Sequence, residues 1–335
     1  MSPSPSRASA AARWTRWTRC AALLTLGLAA TWNATAQDKP PVRILVGFAA
    51  GGGVDTVARI LAEGMGQALG QPVVVDNRPG AGGLIAAQAL KAAAADGNTL
   101  LLTNDHTVAI LPHTLKNPGF SASRDFAPVA LVSDKLVFAL ATNSGTRLEH
   151  LNDIADWARR SPGKANFGVP APGSMPEFAV GLLARGLGID ATPVAYRGGS
   201  PMVMDLSASQ IPFGMTSTIE LIPFAKSGKV RILAVSGSAR QPDLPEVPTF
   251  SELGIQGLEL PNIIGLYAPA GTTPALVARY SEAVRVALAS DKSRERLQTL
   301  GSPANYGGPE ALAQGIQRIS DTWGPVIRRS GYQPQ

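Results

Sequence analysis

The stretch from Val42 to Asp55 reads VRILVGFAAGGGVD, and it decides the fold class of this chain. Its first seven residues, up to Phe48, form a mostly apolar run typical of a buried strand. Three glycines follow, and residues 54–69 then carry apolar side chains at helical spacing up to Gly70, a residue suited to ending a helix. A strand that passes through a glycine-rich turn into a helix is the first half of a βαβ unit, which predicts an α/β protein.

The alternation of strand and helix continues to the end of the chain. It predicts two α/β lobes with a ligand cleft between them, lobe 1 being residues 37–139 with 258–335 and lobe 2 residues 140–257. Two consecutive domains would give a similar alternation, so the return crossing near 258 is an expectation. Further strands are predicted at 73–75, 100–102, 126–141, 165–168, 192–195, 211–215, 231–235 and 263–268, and further helices at 84–95, 148–159, 176–186, 201–207, 219–226, 274–289, 292–300 and 309–329.

The first 36 residues are predicted to be a cleavable signal peptide. A basic segment precedes an apolar run from Cys20 to Ala30, and the small-x-small sequence Ala34-Thr35-Ala36 follows. This segment holds four arginines and no acid, so removing it from 30 basic and 24 acidic residues leaves 26 and 24, a net charge of +2 instead of +6. Such a balanced chain argues against a nucleic-acid partner. The alternatives are an uncleaved anchor or a mispredicted first helix.

The motifs give little support to an enzyme or a metalloprotein. The single cysteine, Cys20, lies in the predicted signal peptide, which excludes disulfides and thiol catalysis from the mature chain. The three histidines form no short metal-binding pattern, and no G-x-S-x-G nucleophile motif occurs. The sequence therefore predicts no catalytic residue, no metal ligand and no cofactor.

The glycine-rich turn from Phe48 to Gly53 is the strongest candidate for a binding site. The first N–H groups of a helix lack intrahelical partners and carry partial positive charge, so they suit a carboxylate or a phosphate. Asp55, in the first helical turn, could also hold the loop by accepting backbone hydrogen bonds. The spacing matches neither the dinucleotide fingerprint nor a Walker loop, and a glycine turn without a ligand is the alternative.

Polar and glycine residues recur where other predicted strands end. Because open α/β sheets bind ligands outside the carboxyl ends of their strands, we expect these junctions to share one cleft. Arg197 could clamp a carboxylate with its planar fork, although a solvent-facing arginine fits the sequence equally well. His106 is the one histidine at a strand end, and it lines the cleft or packs outside it.

Several longer segments resemble the receptors of tripartite tricarboxylate transporters, also called the Bug family. The resemblance covers roughly residues 40–330, and the segment LGQPVVVDNRPGAGG at 69–83 is its most specific part. Further similar segments are DGNTLLL at 96–102, DFAPV at 125–129, YRGGSP at 196–201, LPEVPT at 244–249 and GLYAPAGT at 265–272.

The resemblance implies a two-lobed fold of the type II periplasmic binding protein kind, with a small carboxylate held by backbone amides and water. Two departures stand out: the family usually has prolines where this chain has Ala49-Ala50, and often a histidine where it has Glu177. Glu177 either faces the cleft and disfavours a second ligand carboxylate, or it stabilises its own helix and faces solvent. The expected ligand-binding residues are Phe48, Ala49, Ala50, Gly51, Gly52, Gly53, Asp55, Asn77, Gly80, Thr103, Asn104, His106, Gly173, Ser174, Glu177, Tyr196, Arg197, Gly198 and Gly199.

Together these observations predict a monomeric periplasmic receptor that captures an organic acid or amino acid for inner-membrane transporter subunits. The same fold could serve a periplasmic sensor that docks on a signalling protein. A secreted α/β enzyme acting on carboxylated substrates is a further alternative, and it would need an acid–base pair or nucleophile in the cleft.

Overall fold

Ten strands form two five-stranded sheets in the computed structural model, which describes residues 40–259 and 262–335. The predicted signal peptide, with Cys20, lies outside the described residues. We call each sheet with the helices packed on it a lobe. The strands are β1 Val42–Val46, β2 Val73–Asn77, β3 Thr99–Asn104, β4 Phe126–Leu136, β5 Phe138–Asn143, β6 Asn166–Val169, β7 Thr192–Ala195, β8 Phe213–Ser217, β9 Val230–Val235 and β10 Asn262–Pro269.

The sheet of lobe 1 has the strand order β2-β1-β3-β10-β4. Strand β1 pairs in parallel with β2 and β3, while β10 runs antiparallel to both β3 and β4. Every residue of β10 is buried, as expected for a strand covered by helices on both faces. This strand therefore returns the chain to lobe 1 after lobe 2 has been completed.

The sheet of lobe 2 has the strand order β7-β6-β8-β5-β9. Strands β6, β7 and β8 are parallel, and β5 runs antiparallel to β8 and β9. In both lobes the parallel strands are joined by helices, and the cores lie between those helices and the sheets. The α/β class and the two-lobed arrangement predicted from the sequence are confirmed.

Helices of lobe 1 and lobe 2 cover the faces of the two sheets. The longest lie at the first strand-to-helix junction and in the C-terminal tail, as the helical spacing predicts. The helices are α1 Gly53–Leu69, α2 Leu84–Lys91, α3 Leu111–Thr114, α4 Ala122–Asp125, α5 Asp153–Arg160, α6 Met175–Leu187, α7 Gly199–Ser207, α8 Thr218–Lys226, α9 Pro274–Ala289, α10 Asp291–Thr299 and α11 Pro309–Arg329.

The predicted single strand at 126–141 is wrong. The structure has two strands there, β4 and β5, and they belong to different sheets. Strand β4 pairs with β10, whereas β5 pairs with β8 and β9, so the chain crosses between the lobes at Val137. Both strands are apolar and mostly buried, and for that reason the sequence pattern shows no break between them.

Two local elements were not expected from the sequence. Residues His106–Ile110 form one π-helical turn that continues directly into α3, and Ala81–Gly83 form a 3₁₀ turn before α2. Both lie at the carboxyl end of the lobe 1 sheet, close to the predicted ligand loops. No helix among the described residues is long and apolar enough to span a bilayer.

Candidate functional site

One cavity lies between the two lobes and is lined from both of them. The space among its lining residues, open solvent included, amounts to about 610 Å³. Its walls come from loops at the carboxyl ends of the parallel strands and from the crossing strands, as expected for an open α/β fold. The lining residues are Phe48, Gly53, Val54, Asn104, Asp105, His106, Ile110, Leu136, Phe138, Pro170, Ala171, Ser174, Met175, Pro176, Gly199, Thr216, Ser217, Glu220 and Ile264.

Four helices begin at this cavity, one from lobe 1 and three from lobe 2. Gly53 opens α1, Met175 opens α6, Gly199 opens α7, and Ser217 is the N-cap residue of α8. Each helix start carries partial positive charge on N–H groups that lack intrahelical acceptors. The lining set contains neither lysine nor arginine. The partial positive charges in the lining therefore come from backbone N–H groups.

The three loop glycines are bonded within the protein. The N–H of Gly51 donates to Asp55 Oδ2 at 2.8 Å, that of Gly52 to the Ala49 carbonyl at 3.2 Å, and that of Gly53 to Glu220 Oε1 at 2.9 Å. This differs from the expectation that these N–H groups are free, because two acidic side chains and a loop carbonyl already accept from them. In the same turn, the N–H of Val54, which lines the cavity, has no hydrogen-bond partner among the described residues.

Asp55 and Asn77 hold the glycine loop by hydrogen bonds on the side away from the cavity. The Asn77 amide donates to the Phe48 carbonyl at 3.1 Å and to Asp55 Oδ1 at 2.8 Å, and Arg59 donates to Asp55 Oδ2 at 2.8 Å. Burial acts to raise the pKa of Asp55, but the hydrogen bonds from Arg59, Gly51 and Asn77 outweigh it and hold the pKa below its usual range. Neither Asp55 nor Asn77 lines the cavity, and the loop-holding role considered for Asp55 is the one that its contacts support.

A second brace holds the loop that precedes α2. The hydroxyl of Thr103 donates to Thr107 Oγ1 at 2.8 Å, and the Thr107 hydroxyl donates to the Gly82 carbonyl at 2.9 Å. Gly83 has φ +94°, and a Cβ at this position would collide with the Thr107 side chain. The glycines at this junction are therefore required by close packing of the loop.

Asp105 and His106 bring unpaired polar atoms to the lobe 1 side of the cavity. Asp105 Oδ2 and both ring nitrogens of His106 are buried without a hydrogen-bond partner among the described residues. Burial raises the pKa of Asp105 to about 7, against the opposing effect of the His106 and Ile263 N–H groups. Burial lowers the pKa of His106 to about 4, so its ring is neutral near pH 7. On the facing lobe, the hydroxyl of Ser174 is likewise buried and unpaired.

Glu220 is an acidic residue of the cavity that sequence reasoning missed. It lies in the first turn of α8, and its carboxylate accepts from the Gly53 N–H of lobe 1 and from the hydroxyls of Thr216 and Ser217 in lobe 2. Burial raises its pKa, while these donors act in the opposite direction. The signal that could have found it is the capping-box spacing Ser217-x-x-Glu220 directly after a strand.

Glu177 does not line the cavity. Its carboxylate accepts from the N–H of Gly173, in the loop that precedes its own helix α6. Burial raises its pKa, which the Gly173 N–H partly opposes. This geometry corresponds to the helix-stabilising alternative considered for Glu177, with a half-buried side chain.

A second cavity shares Phe48 and Pro170 with the first and is lined by four more of the predicted residues. It contains Gly80, Tyr196, Arg197 and Gly198. The Tyr196 hydroxyl donates to Asp205 Oδ2 at 2.8 Å, which fixes the ring on α7. Arg197 is exposed and forms no ion pair with any described residue.

The structure thus divides the predicted site residues into three groups. The interlobe cavity is lined by Phe48, Gly53, Asn104, His106, Ser174 and Gly199. The second cavity is lined by Phe48, Gly80, Tyr196, Arg197 and Gly198. Neither is lined by Ala49, Ala50, Gly51, Gly52, Asp55, Asn77, Thr103, Gly173 or Glu177.

Comparison with known families and curated proteins gives a consistent assignment. Residues 57–332 match the family model described as tripartite tricarboxylate transporter family receptor. BugT of Bordetella pertussis is 31% identical over 92% of this chain and 95% of that protein. A UPF0065 protein from the tcbD-tcbE intergenic region of Pseudomonas sp. strain P51 is 34% identical over 86% of this chain and 85% of that protein.

Solved structures show the same fold. The periplasmic binding protein BugD superposes with a TM-score of 0.83 at 30% identity, covering 88% of this chain and 99% of that one. MatC from Rhodopseudomonas palustris with bound malate gives 0.79 at 31% identity, covering 86% and 98%. An R. palustris protein with adipate gives 0.81 at 27% identity, covering 90% and 98%.

Proposed function

This chain belongs to the tripartite tricarboxylate transporter receptor family, and from that premise we propose that it captures a small carboxylate between its two lobes and delivers it to membrane transporter subunits. The ligand class comprises small organic acids and amino acids that fit between the walls of this cavity.

One observation carries the proposal: four helix N-termini converge on a cavity whose lining holds no lysine or arginine. Oriented N–H groups in a partly desolvated site attract an anion without flexible cationic side chains. The buried hydroxyl of Ser174 and the unpaired Val54 N–H are donors available to a bound carboxylate. Structures of similar proteins with bound malate and with adipate support the same ligand class.

The proposal includes binding without turnover. A nucleophilic serine needs a base within hydrogen-bond reach, and the ring nitrogens of His106 have no partner among the described residues. With a pKa of about 4, His106 is also poorly matched to base catalysis near neutral pH.

The remaining parts of the proposal concern location and organisation. The signal-like first 36 residues and the similarity to a periplasmic binding protein support export to the periplasm. We propose that the receptor acts as a monomer, with lobe 1 formed by residues 37–139 and 258–335 and lobe 2 by residues 140–257. The change of sheet at Val137 supports a crossing close to the first boundary, although Phe138 and Ala139 already pair within the lobe 2 sheet.

The test is a thermal-shift and calorimetry screen of the receptor purified from the periplasm. The panel pairs amino acids, monocarboxylates and dicarboxylates with the matching neutral amides. We expect at least one carboxylate to bind, with stabilisation of about 2.7 kcal/mol at a hundredfold excess over its Kd, and its amide to bind far more weakly. Binding of amides as tightly as carboxylates, or of no member of the panel, would contradict the proposal.

A further inference from the structure

Glu220 reaches from lobe 2 to the main chain of lobe 1. Its Oε1 accepts from the N–H of Gly53, the first residue of α1, at 2.9 Å. Gly53 belongs to lobe 1 and Glu220, 167 positions further along the chain, belongs to lobe 2. The contact therefore exists only when the lobes face each other. The carboxylate therefore occupies one of the N–H positions that a ligand anion would otherwise take.

Helix capping alone does not explain this position. A capping-box glutamate needs only the N–H of its own N-cap residue, which for α8 is Ser217. Glu220 additionally accepts from the hydroxyls of Thr216 and Ser217 and from the N–H of Gly53. A Cβ at Gly199 would collide with the Glu220 carboxylate, so the start of α7 leaves room for it only because residue 199 is glycine. The Glu220 side chain is therefore accommodated by three elements besides its own helix, namely α1, α7 and β8.

The charge pattern of the cavity is therefore mixed. Helix N-termini attract an anion, whereas Glu220 and Asp105 contribute two carboxyl groups, and the lining contains no basic side chain to offset them. A ligand with two carboxylates would bring its second anion into a site that already holds acidic groups. A ligand with one carboxylate and one ammonium group would satisfy both parts of the pattern.

We propose that Glu220 is a specificity-determining residue that selects ligands combining a carboxylate with an ammonium group over dicarboxylates of the same skeleton. The inference rests on the proposed function, because it concerns the ligand of the same cavity. The ligand carboxylate contacts the helix N-termini, and the ammonium group pairs with Glu220. Glu220 thus attracts the ammonium group of one ligand and repels the second carboxylate of the other.

The experiment compares ligand pairs in which a carboxylate replaces the ammonium group at the same carbon. Alanine is paired with methylmalonate and 4-aminobutyrate with glutarate, and the strongest binder of the screen is paired in the same way. Calorimetry is run on the purified receptor, Glu220→Gln and Glu220→Ala. Glu310→Gln is the matched control, since Glu310 is an exposed first-turn glutamate of α11 and does not line the cavity.

We expect the wild-type receptor to favour the ammonium member of the tightest pair by at least about tenfold, and both Glu220 variants to lower that ratio by at least about tenfold. Glu310→Gln should leave the ratio unchanged. An unchanged ratio in a folded Glu220 variant, or dicarboxylates as the strongest wild-type ligands, would overturn the inference alone. If no carboxylate binds the wild-type protein, the proposed function fails and this inference with it. The preference of the wild-type receptor within each ligand pair does not depend on the variants. If both variants misfold, a wild-type preference for the dicarboxylate member would still overturn the inference.

Discussion

At the scale of single residues, the protein shifts the pKa of Asp55 and that of Asp105 in opposite directions. Asp55 accepts from Arg59, Gly51 and Asn77, and its pKa is held below the usual range despite burial. Asp105 is equally buried, but one of its oxygens has no partner among the described residues, and its pKa rises to about 7. The balance between burial, which raises the pKa, and hydrogen bonds to the carboxylate, which lower it, decides the direction of each shift.

For Asp105 and His106 we predict contributions to folding stability that depend on pH in opposite directions. Asp105 has a raised folded pKa, about 7 against 3.8, so its contribution to stability falls as pH rises through that window. His106 has a lowered folded pKa, about 4 against 6.5, so its contribution falls as pH drops from 6.5 to 4. Relative to wild type, Asp105→Asn should gain stability from pH 4 to 7, by up to roughly 4 kcal/mol. His106→Gln should gain stability from pH 6.5 down to 4, by up to roughly 3 kcal/mol.

Urea unfolding at half-unit pH steps measures both differences against the same wild-type curve. The other ionisable groups are common to all three proteins, so their titration cancels in the differences. Two flat difference curves would contradict the burial argument for both residues, and slopes of equal sign would contradict the assignment of opposite shifts.

At the scale of elements, helix α1 positions the glycine loop through its packing on helix α9. The residues that α1 buries belong to the lobe 1 core together with Tyr280, Val284 and Leu288 of α9. The closest approach is at Gly64, where a Cβ would lie 2.6 Å from the Cβ of Ala287. A side chain there would force the two helices apart and move the N-terminus of α1 with them.

Two glycines on the same helix should therefore respond oppositely to alanine. Gly64→Ala should destabilise the protein by roughly 1–3 kcal/mol through overpacking against α9. Gly66 meets nothing closer than 3.5 Å, and Gly66→Ala should stabilise it by up to about 1 kcal/mol through helix propensity. Chemical denaturation of both variants measures the difference. A stabilising Gly64→Ala would show that the α1–α9 approach is loose in solution.

At the scale of the whole molecule, the lobes also meet outside the cavity. The ring centroid of Phe178 in α6 lies 5.5 Å from that of Tyr332 and 6.2 Å from that of Trp323. Tyr332 and Trp323 both belong to the C-terminal region that packs on lobe 1. Two backbone hydrogen bonds join Gln335 to Thr114 and Lys116 and hold the chain end in place. This aromatic contact stabilises the arrangement in which the lobes face each other across the cavity.

Removal of the Tyr332 ring should shift the population towards an open arrangement. An aromatic pair contributes roughly 0.5–1.5 kcal/mol, so Tyr332→Ala should weaken the best carboxylate ligand of the screen by about two- to tenfold. Tyr332→Phe keeps the ring and should bind as the wild type does. Calorimetry gives the Kd and small-angle scattering gives the radius of gyration. Unchanged values of both in Tyr332→Ala would exclude a role for this contact in closure.

The sequence by itself determined most of the local structure. Helix and strand periods repeat over short distances, so nearly every element was predicted to within a few residues, and the glycine loop at 51–53 was correctly expected at the start of the first helix. Chain order also indicated which loops meet, because the carboxyl ends of parallel strands share one edge of a sheet.

Only the tertiary structure decided which groups face one another across the lobes. The apolar run at 126–141 divides between two sheets, since partner strands far along the chain determine its pairing. Glu220 meets Gly53 across 167 positions, while Glu177, the glutamate that local reasoning brought forward, accepts from its own loop. Such contacts depend on lobe packing, and no short-range period in the sequence encodes them.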